Sequence, residues 1–293
     1  MSLRPLLLLP FVALQQPAAR EGASRPASAP AANTLVRAMT FNVRYGSADD
    51  GDDAWPKRQE CLVATIRGFA PDILGVQEAL GVQIEALKKA LPSMDVYGQS
   101  RRGDKDKRDD EHCSIFVDRE RFAVERHGDF WICESPLQAG IKGWDAALPR
   151  LCTWVVLREK TTSTRFVVFN THLDHQGTRA REEGAKLIVE RLKTFPAMPK
   201  LVLGDFNADE SSPAIATMKA SGLRDSYRAL NPDDTSAGTF HAFRGKPVGG
   251  KIDYVFCDGL WEVRRAEIVR AKRDGRYPSD HFPVIAELKM LPL

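Results

Sequence analysis

With 293 residues and 43% hydrophobic content, the chain can bury a sizeable core, as one large domain or two small ones. Most of its formal net charge of +3 is carried by residues 1–32, where Arg4, Arg20 and Arg25 stand against Glu21; the remaining chain sits at about +1, which excludes a strong nonspecific pull toward nucleic acid. The five cysteines, Cys61, Cys113, Cys133, Cys152 and Cys257, show no C-x-x-C metal spacing and read as buried thiols, although export could oxidise one or two pairs.

Arg4 precedes the apolar run Pro5 to Leu14, and the stretch from Gln15 to Ala32 is rich in Ala, Pro and Ser. Residues 1–32 therefore read as a secretory signal peptide and flexible tail, which implies a secreted or periplasmic protein. The apolar run is too short for a permanent membrane anchor. Residues 33–293 read as one domain, because polar motifs run from Asn42 to His281 without a linker. Within it, Leu35 to Val43 reads as a buried strand. Trp55-Pro56 opens a helix with Leu62, Ile66 and Phe69 on one face, and Asp72 to Gln77 is a short apolar strand. Val82 to Leu91 is helical. The charge run from Arg101 to Glu111 cancels itself and reads as a solvated loop.

Strands follow at Cys113–Val117, Phe122–Cys133, Leu151–Arg158 and Arg165–Thr171, then a helix over Thr178–Phe195 and a strand at Leu201–Leu203. The closing third gives a helix near Pro213–Ala220 and strands at Thr239–Ala242, Lys251–Cys257, Glu262–Val269 and Pro283–Leu288. Around the third of these, Arg264 to Arg276 forms a basic stretch, either a polyanion patch or a plain solvent-facing edge. Strands interleaved with helices imply two packed sheets covered by helices on the outside.

The chemistry lies where apolar runs end. Asn42 closes the first strand, Glu78 follows Ile73-Leu74-Gly75-Val76-Gln77, and His172 closes Asn170-Thr171-His172. Gly204-Asp205-Phe206-Asn207 leaves Leu201-Val202-Leu203, Asp253 opens a strand, and Asp280-His281 precedes another. Polar residues at converging strand ends build a site on a rigid scaffold. Glu78, Asn42 and Asp280 offer the hard oxygen donors that Mg²⁺ or Mn²⁺ accepts; an acid after so apolar a run needs a cation, a hydrogen-bond network or a helix dipole. His172 and His281 titrate near neutrality and suit proton transfer or charge neutralisation. Asp253 can hold one imidazole in a fixed tautomer or pair with Lys251 or Arg273. Asp205 can orient or deprotonate a water while Asn207 donates to a phosphoryl oxygen, a combination suited to in-line displacement at phosphorus.

These segments, above all GDFNAD, SDHFPV, QE, NTHLDH and IDYVF, resemble in content and order the motifs of the endonuclease/exonuclease/phosphatase family over roughly residues 35–290. The resemblance implies an α+β fold, a four-layer α/β/β/α sandwich of deoxyribonuclease-I type, with the site at one end of the two sheets and residues 33–293 as the catalytic domain. It implies that Glu78 binds metal with Asn42 as its amide partner and Asp280 as a further metal-side carboxylate. His281 would contact the scissile phosphate with Asp253 as dyad partner, His172 would be a second phosphate-side histidine, Asp205 would position the water, and Asn207 would hold water and phosphate. Arg44 and Arg150 could clamp a phosphate or form ordinary ion pairs; Asn170 is assigned with them to the substrate. Trp55, Trp144 and Phe240 could form an aromatic platform, with Trp154 better suited to the core.

The expectation is a monomeric Mg²⁺- or Mn²⁺-dependent phosphoesterase acting on a small or medium phosphorylated molecule, whether sugar phosphate, lipid headgroup or nucleic-acid component. A secreted nuclease on DNA or RNA and a non-catalytic phosphate- or glycan-binding module are the alternatives.

Overall fold

A computed structural model describes residues 35–103 and 110–292. The leader and tail expected over residues 1–32 lie outside the described residues, as does the middle of the charge run between Arg101 and Glu111. In chain order the elements are strand β1 (Leu35–Asn42), helix α1 (Trp55–Phe69), β2 (Ile73–Gln77), α2 (Gly81–Ala90), β3 (Met94–Tyr97), β4 (Ile115–Asp118), β5 (Phe122–Trp131) and β6 (Leu151–Glu159). There follow β7 (Arg165–His172), α3 (Thr178–Lys193), β8 (Lys200–Asp205), α4 (Pro213–Ala220), β9 (Arg224–Asp225), α5 (Ser226–Leu230), β10 (Asp253–Cys257), β11 (Trp261–Ile268) and β12 (Val284–Met290).

The strands form two six-stranded sheets, in the orders β11-β12-β1-β2-β4-β3 and β5-β6-β7-β8-β10-β9. Each sheet has a parallel pair at its heart, β1 with β2 and β7 with β8. Alternation along each strand decides what each face meets. Val36 and Ala38 of β1, Ile73 of β2, Phe166 and Val168 of β7, Leu201 and Leu203 of β8, and Val255 and Cys257 of β10 pack in the seam between the sheets. The opposite parity, Met39, Phe41, Leu74 and Val76, packs with Leu62, Ile66 and Phe69 of α1 and Leu87 of α2. Val167, Phe169, Val202 and Phe256 pack with Ile188 and Leu192 of α3 and Ile215 and Met218 of α4. The result is the α/β/β/α sandwich.

Helix α1 starts where Pro56 presets the first turn and stops at Ala70, whose φ of 51° is left-handed. Ser212 caps α4, its hydroxyl accepting from Ile215 N at 3.3 Å. All five cysteines are buried and free. No helix among the described residues is long and apolar enough to cross a membrane.

The strand expected at Thr239–Ala242 is absent. Phe240 makes one isolated bridge to His281, and φ values of 47° and 60° at Ala242 and Phe243 turn the chain away. The backbone there serves another loop: His241 N and Ala242 N both donate to Asp280 O. β3, β9 and α5 have no counterpart in the sequence-based elements, because segments of five residues or fewer hold too little periodicity to register.

The seam also carries a polar tie. Gln77 Nε2 donates to Thr40 Oγ1 at 3.0 Å within its own sheet and to Asn170 Oδ1 at 2.7 Å across the seam. Asn170 Nδ2 in turn donates to Val76 O at 3.0 Å and Ser114 O at 2.9 Å. Space for it comes from Gly75, where a Cβ would stand 2.7 Å from Asn170 Oδ1 and 3.1 Å from Leu203 Cβ. Gly75→Ala is therefore expected to cost about 1–3 kcal/mol through overpacking, measurable as a lower urea midpoint; an unchanged midpoint would show that the sheets have slack.

Candidate active site

The seam-facing parity of every central strand is apolar along its length and polar at one end. On β1 it runs Val36, Ala38, Thr40, Asn42; on β7 Phe166, Val168, Asn170, His172; on β8 Leu201, Leu203, Asp205. Register then brings these ends together. Asn42 pairs with Gln77 in the first sheet, and in the second Asp205 lies beside both His172 and Asp253. Glu78 follows Gln77 directly, while Asp280 and His281 enter from the loop before β12.

The outcome is a cleft of about 850 Å³ lined by Arg44, Glu78, Arg150, His172, Asp205, Asn207, Asp280 and His281 among others. Asn42 and Asp253 are fully buried just behind it. Chain direction changes abruptly around this cleft. Arg44, Glu78, Asn207, Ala242 and Phe243 all have left-handed φ, between 46° and 62°, and all line it. Such residues cost energy and persist only when surrounding contacts fix them.

Those contacts are specific. Asn42 Nδ2 donates to Glu78 Oε1 and to Asp205 Oδ2, both at 2.9 Å, joining the two sheets a second time. Its Oδ1 accepts from Arg44 N at 2.9 Å, and Glu78 Oε2 accepts from Tyr45 N at 3.1 Å. Asp205 Oδ1 accepts from Asn207 N at 2.8 Å, while Oδ2 stands 3.5 Å from His172 Nε2 and 3.9 Å from His281 Nε2.

The two imidazoles sit in hydrogen-bonding environments that favour different protonation states. Asn207 Nδ2 donates to Leu173 O at 3.0 Å, a group that can only accept, so the amide orientation is fixed; its second proton goes to His172 Nε2 at 3.0 Å. His172 is thus a neutral imidazole protonated at Nδ1, and burial, with Arg150 nearby, holds its pKa well below 6.5. His281 Nδ1 donates to Asp253 Oδ2 at 2.9 Å. Burial opposes its charge, but the carboxylates of Asp253, Asp205 and Asp280 outweigh it and raise its pKa well above 6.5. Asp205 itself is pushed up by burial and by Asp253.

The donor set fits a hard divalent cation. Ligand atoms of Glu78, His172 and Asp205 lie within 4.8 Å of one another, as do those of Asp205, Asp253 and His281. Asp280 belongs to neither group. Its Oδ2 faces Arg44 Nε at 3.7 Å, its Oδ1 accepts from Ser279 Oγ at 3.2 Å, and burial raises its pKa. Buried carboxylates this crowded call for a positive charge among them.

Three sequence assignments change. Asn170 does not reach the cleft: it is fully buried and both ends of its amide are held in the tie between the sheets, so it positions and does not bind substrate. Arg150 reaches the cleft but offers no free guanidinium fork, because Nε is held by Asp174 Oδ2 at 3.3 Å and Nη2 by His175 Nδ1 at 3.0 Å. Of the proposed aromatic platform only Phe240 lines the cleft. Trp55 lies against Arg58, and Trp144 and Trp154 pack against the helix-covered core. Arg44 lines the cleft and forms the ion pair expected of it, bonded to Asp50 through Nη2 at 2.8 Å.

Arg58, absent from the sequence-based site, is the buried anchor of its loops. The fully buried guanidinium donates to Val43 O at 2.7 Å and to Asp53 O, Arg44 O and Pro278 O, each at 2.9 Å. It lies between the rings of Trp55 and Phe243. Burial lowers its pKa to about 10. The signal was available: Arg58 falls four residues before Leu62 on the apolar face of α1, an unusual place for a cation.

A model of the family described as Endonuclease/Exonuclease/phosphatase matches residues 39–281. A solved structure of a protein from that family in Bacteroides thetaiotaomicron is 33% identical, covers 89% of this chain and 99% of its own, and superposes with a TM-score of 0.81. A mannosyl-6-phosphatase from Bacteroides thetaiotaomicron VPI-5482 is 34% identical, with 86% and 99% covered and a TM-score of 0.78. Among curated proteins, Nocturnin of Drosophila melanogaster is 24% identical over 92% of this chain and 49% of its own length, so the chain spans about half of the curated relative it matches.

Two outcomes follow from the site alone. Arg58→Met should destabilise by about 3 kcal/mol or more in urea unfolding, because four buried carbonyls lose their donor, with Arg58→Lys recovering only part; wild-type stability in Arg58→Met would remove its anchoring role. In chelator at about pH 6, imidazole carbon shifts should show His281 protonated and His172 neutral, and Asp253→Asn should lower the His281 titration. A His281 that titrates unchanged in that variant would separate the pair.

Proposed function

The chain belongs to the endonuclease/exonuclease/phosphatase family, and on that premise we propose that it is a divalent-metal-dependent phosphoesterase, cleaving a small or medium phosphorylated molecule by in-line attack of an activated water. The observation that carries this is the meeting of Glu78, Asp205, His172 and His281 in one cleft. Glu78 and Asp280 at the cleft, with Asn42 behind them bonded to Glu78, are the oxygen donors that would hold Mg²⁺ or Mn²⁺, since His172 has its Nε2 lone pair taken by Asn207. Such an ion supplies Lewis-acid polarisation of a phosphoryl oxygen and a more acidic bound water.

The remaining work falls to the chain. Asp205 has both oxygens aimed by Asn207 N and Asn42 Nδ2, and burial makes it a stronger base than a solvated carboxylate, so it orients the attacking water and accepts its proton. The new P–O bond forms as the ester P–O bond opposite breaks, and the leaving alcohol oxygen takes a proton from solvent. His281 keeps its Nε2 proton because Asp253 holds Nδ1, and that proton is directed at a non-bridging phosphoryl oxygen, where negative charge grows. Asn207 ties His172 to the backbone at Leu173 O.

A sugar phosphate is the favoured substrate class, supported by the likeness to a mannosyl-6-phosphatase and by the near-neutral charge beyond residue 32, which gives long DNA or RNA little attraction. The full set of acid, base and imidazole groups weighs against a module that only binds. The proposal carries action as a monomer and export through residues 1–32, the latter supported by the pattern from Arg4 to Leu14.

Phosphate release from hexose phosphates and p-nitrophenyl phosphate should stop on chelation and return with Mg²⁺ or Mn²⁺; turnover indifferent to chelator would reject the metal. His281→Ala should lower kcat by about 10²–10⁴ with the circular dichroism spectrum retained. Glu78→Gln should chiefly raise the metal concentration needed, and an unaltered metal requirement would return Glu78 to a structural role.

A further inference from the structure

The NTHLDH motif contains a second histidine that the hydrolytic machinery leaves unused. His175 lines the cleft, but its side chain is 44% exposed where that of His172 is 8% exposed, so one imidazole stands at the mouth and the other at the buried centre. An exposed histidine is ordinarily mobile and changes tautomer freely. This one is held from beneath.

The support is Asp174, buried and accepting from the backbone N–H groups of Ala147, Leu148, Gln176 and Gly177 and from Arg150 Nε, at 2.8–3.3 Å. Burial alone would raise this carboxyl, yet those donors and the Arg150 charge hold it at about 2. Arg150, itself buried, passes the alignment on through Nη2, 3.0 Å from His175 Nδ1. A guanidinium has no lone pair to offer, so Nδ1 must accept and the ring proton resides on Nε2. Nε2 lies 3.2 Å from the side-chain amide of Gln176, an exposed group that can turn its oxygen to that proton or swing aside. Arg150 Nη1 has no hydrogen-bond partner among the described residues.

Two donors, Nε2–H of His175 and Nη1 of Arg150, thus belong to a rigid unit at the mouth. Its charge decides what it selects: the Arg150 cation is balanced by the Asp174 carboxylate at 3.3 Å, and the ring faces that guanidinium with Nδ1 and the cleft mouth with Nε2. A net-neutral pair of donors suits hydroxyl oxygens, whereas a second phosphate would call for uncompensated positive charge.

We propose that His175 and Arg150 form a hydroxyl-recognition subsite, which binds the polyhydroxylated alcohol portion of the substrate, as in a hexose phosphate, while the phosphate occupies the buried centre beside Asp205 and His281. The inference rests on the phosphoesterase reading and adds to it the residues that select the alcohol.

The test compares kcat/KM for hexose 6-phosphates with kcat/KM for p-nitrophenyl phosphate, whose leaving group has no hydroxyl ring. His175→Ala should lower the ratio of the two about tenfold, the size of one lost hydrogen bond to substrate, with the loss falling on KM for the sugar. His175→Gln, which keeps a donor near Nε2, should recover most of the ratio. An unchanged ratio in His175→Ala, or a ratio that His175→Gln fails to recover, overturns the subsite. So does a wild-type enzyme that cleaves p-nitrophenyl phosphate but no hexose phosphate, and in that case the phosphoesterase reading still stands. Wild-type protein that cleaves neither ester with Mg²⁺ or Mn²⁺ defeats that reading, and the subsite with it.

Discussion

The amide of Asn170 determines how far apart the two halves of the site stand. It spans the seam between the sheets, accepting from Gln77 and donating to Val76 and Ser114. Gln77 is the residue before Glu78, and Asn170 lies two residues before His172 on the same face of its strand. The hydrophobic seam brings the sheets together without specifying register, since apolar contact is nondirectional. Hydrogen bonds of fixed length and angle convert that loose attraction into a defined separation between the acid on one sheet and the imidazole on the other. Asn42 repeats the arrangement nearer the cleft by donating to Glu78 and Asp205 together.

Electrostatics at the cleft follow from partners of opposite kind. His281 has a carboxylate behind it and His172 an amide donor in front, so two rings in similar burial have their pKa values moved in opposite directions. Asp205 lies within 4 Å of both rings and takes part in both groupings that could receive a cation. A small change at this one carboxylate is felt by both rings and by the groupings that could receive a cation. The loops that carry these groups owe their shape to Arg58, whose donors hold four carbonyls from three separate stretches of the chain.

Much of this could be read along the chain, because period-two alternation is written in it. Once Leu201 and Leu203 are taken as core-facing, Asp205 must face the same way, and the same parity argument applies to Asn42 and His172. Which polar groups meet across the seam was not legible. Asn170 and Gln77 look like strand-end polar residues of the same kind as Glu78, and only the packed sheets show that they turn toward each other and away from solvent. Arg150 was similarly ambiguous, since its ties to Asp174 and His175 depend on the fold of the loop before β6. The segment Thr239–Ala242 has strand-forming residues, but its backbone N–H groups are drawn to Asp280 O, and the left-handed turn at Ala242 and Phe243 overrides local preference.

That turn bears on how the protein could be altered. Ala242 and Phe243 sit at φ values that glycine adopts freely and other residues resist. Glycine there would relieve local strain, yet in place of Phe243 it would take from Arg58 one of the two rings it lies over, and at either position it would widen the range of shapes open to the backbone that binds Asp280 O. Directed evolution for heat resistance and directed evolution for turnover would accordingly pull these two positions in contrary directions, and the rim of the cleft is where a more robust form would first show impaired catalysis.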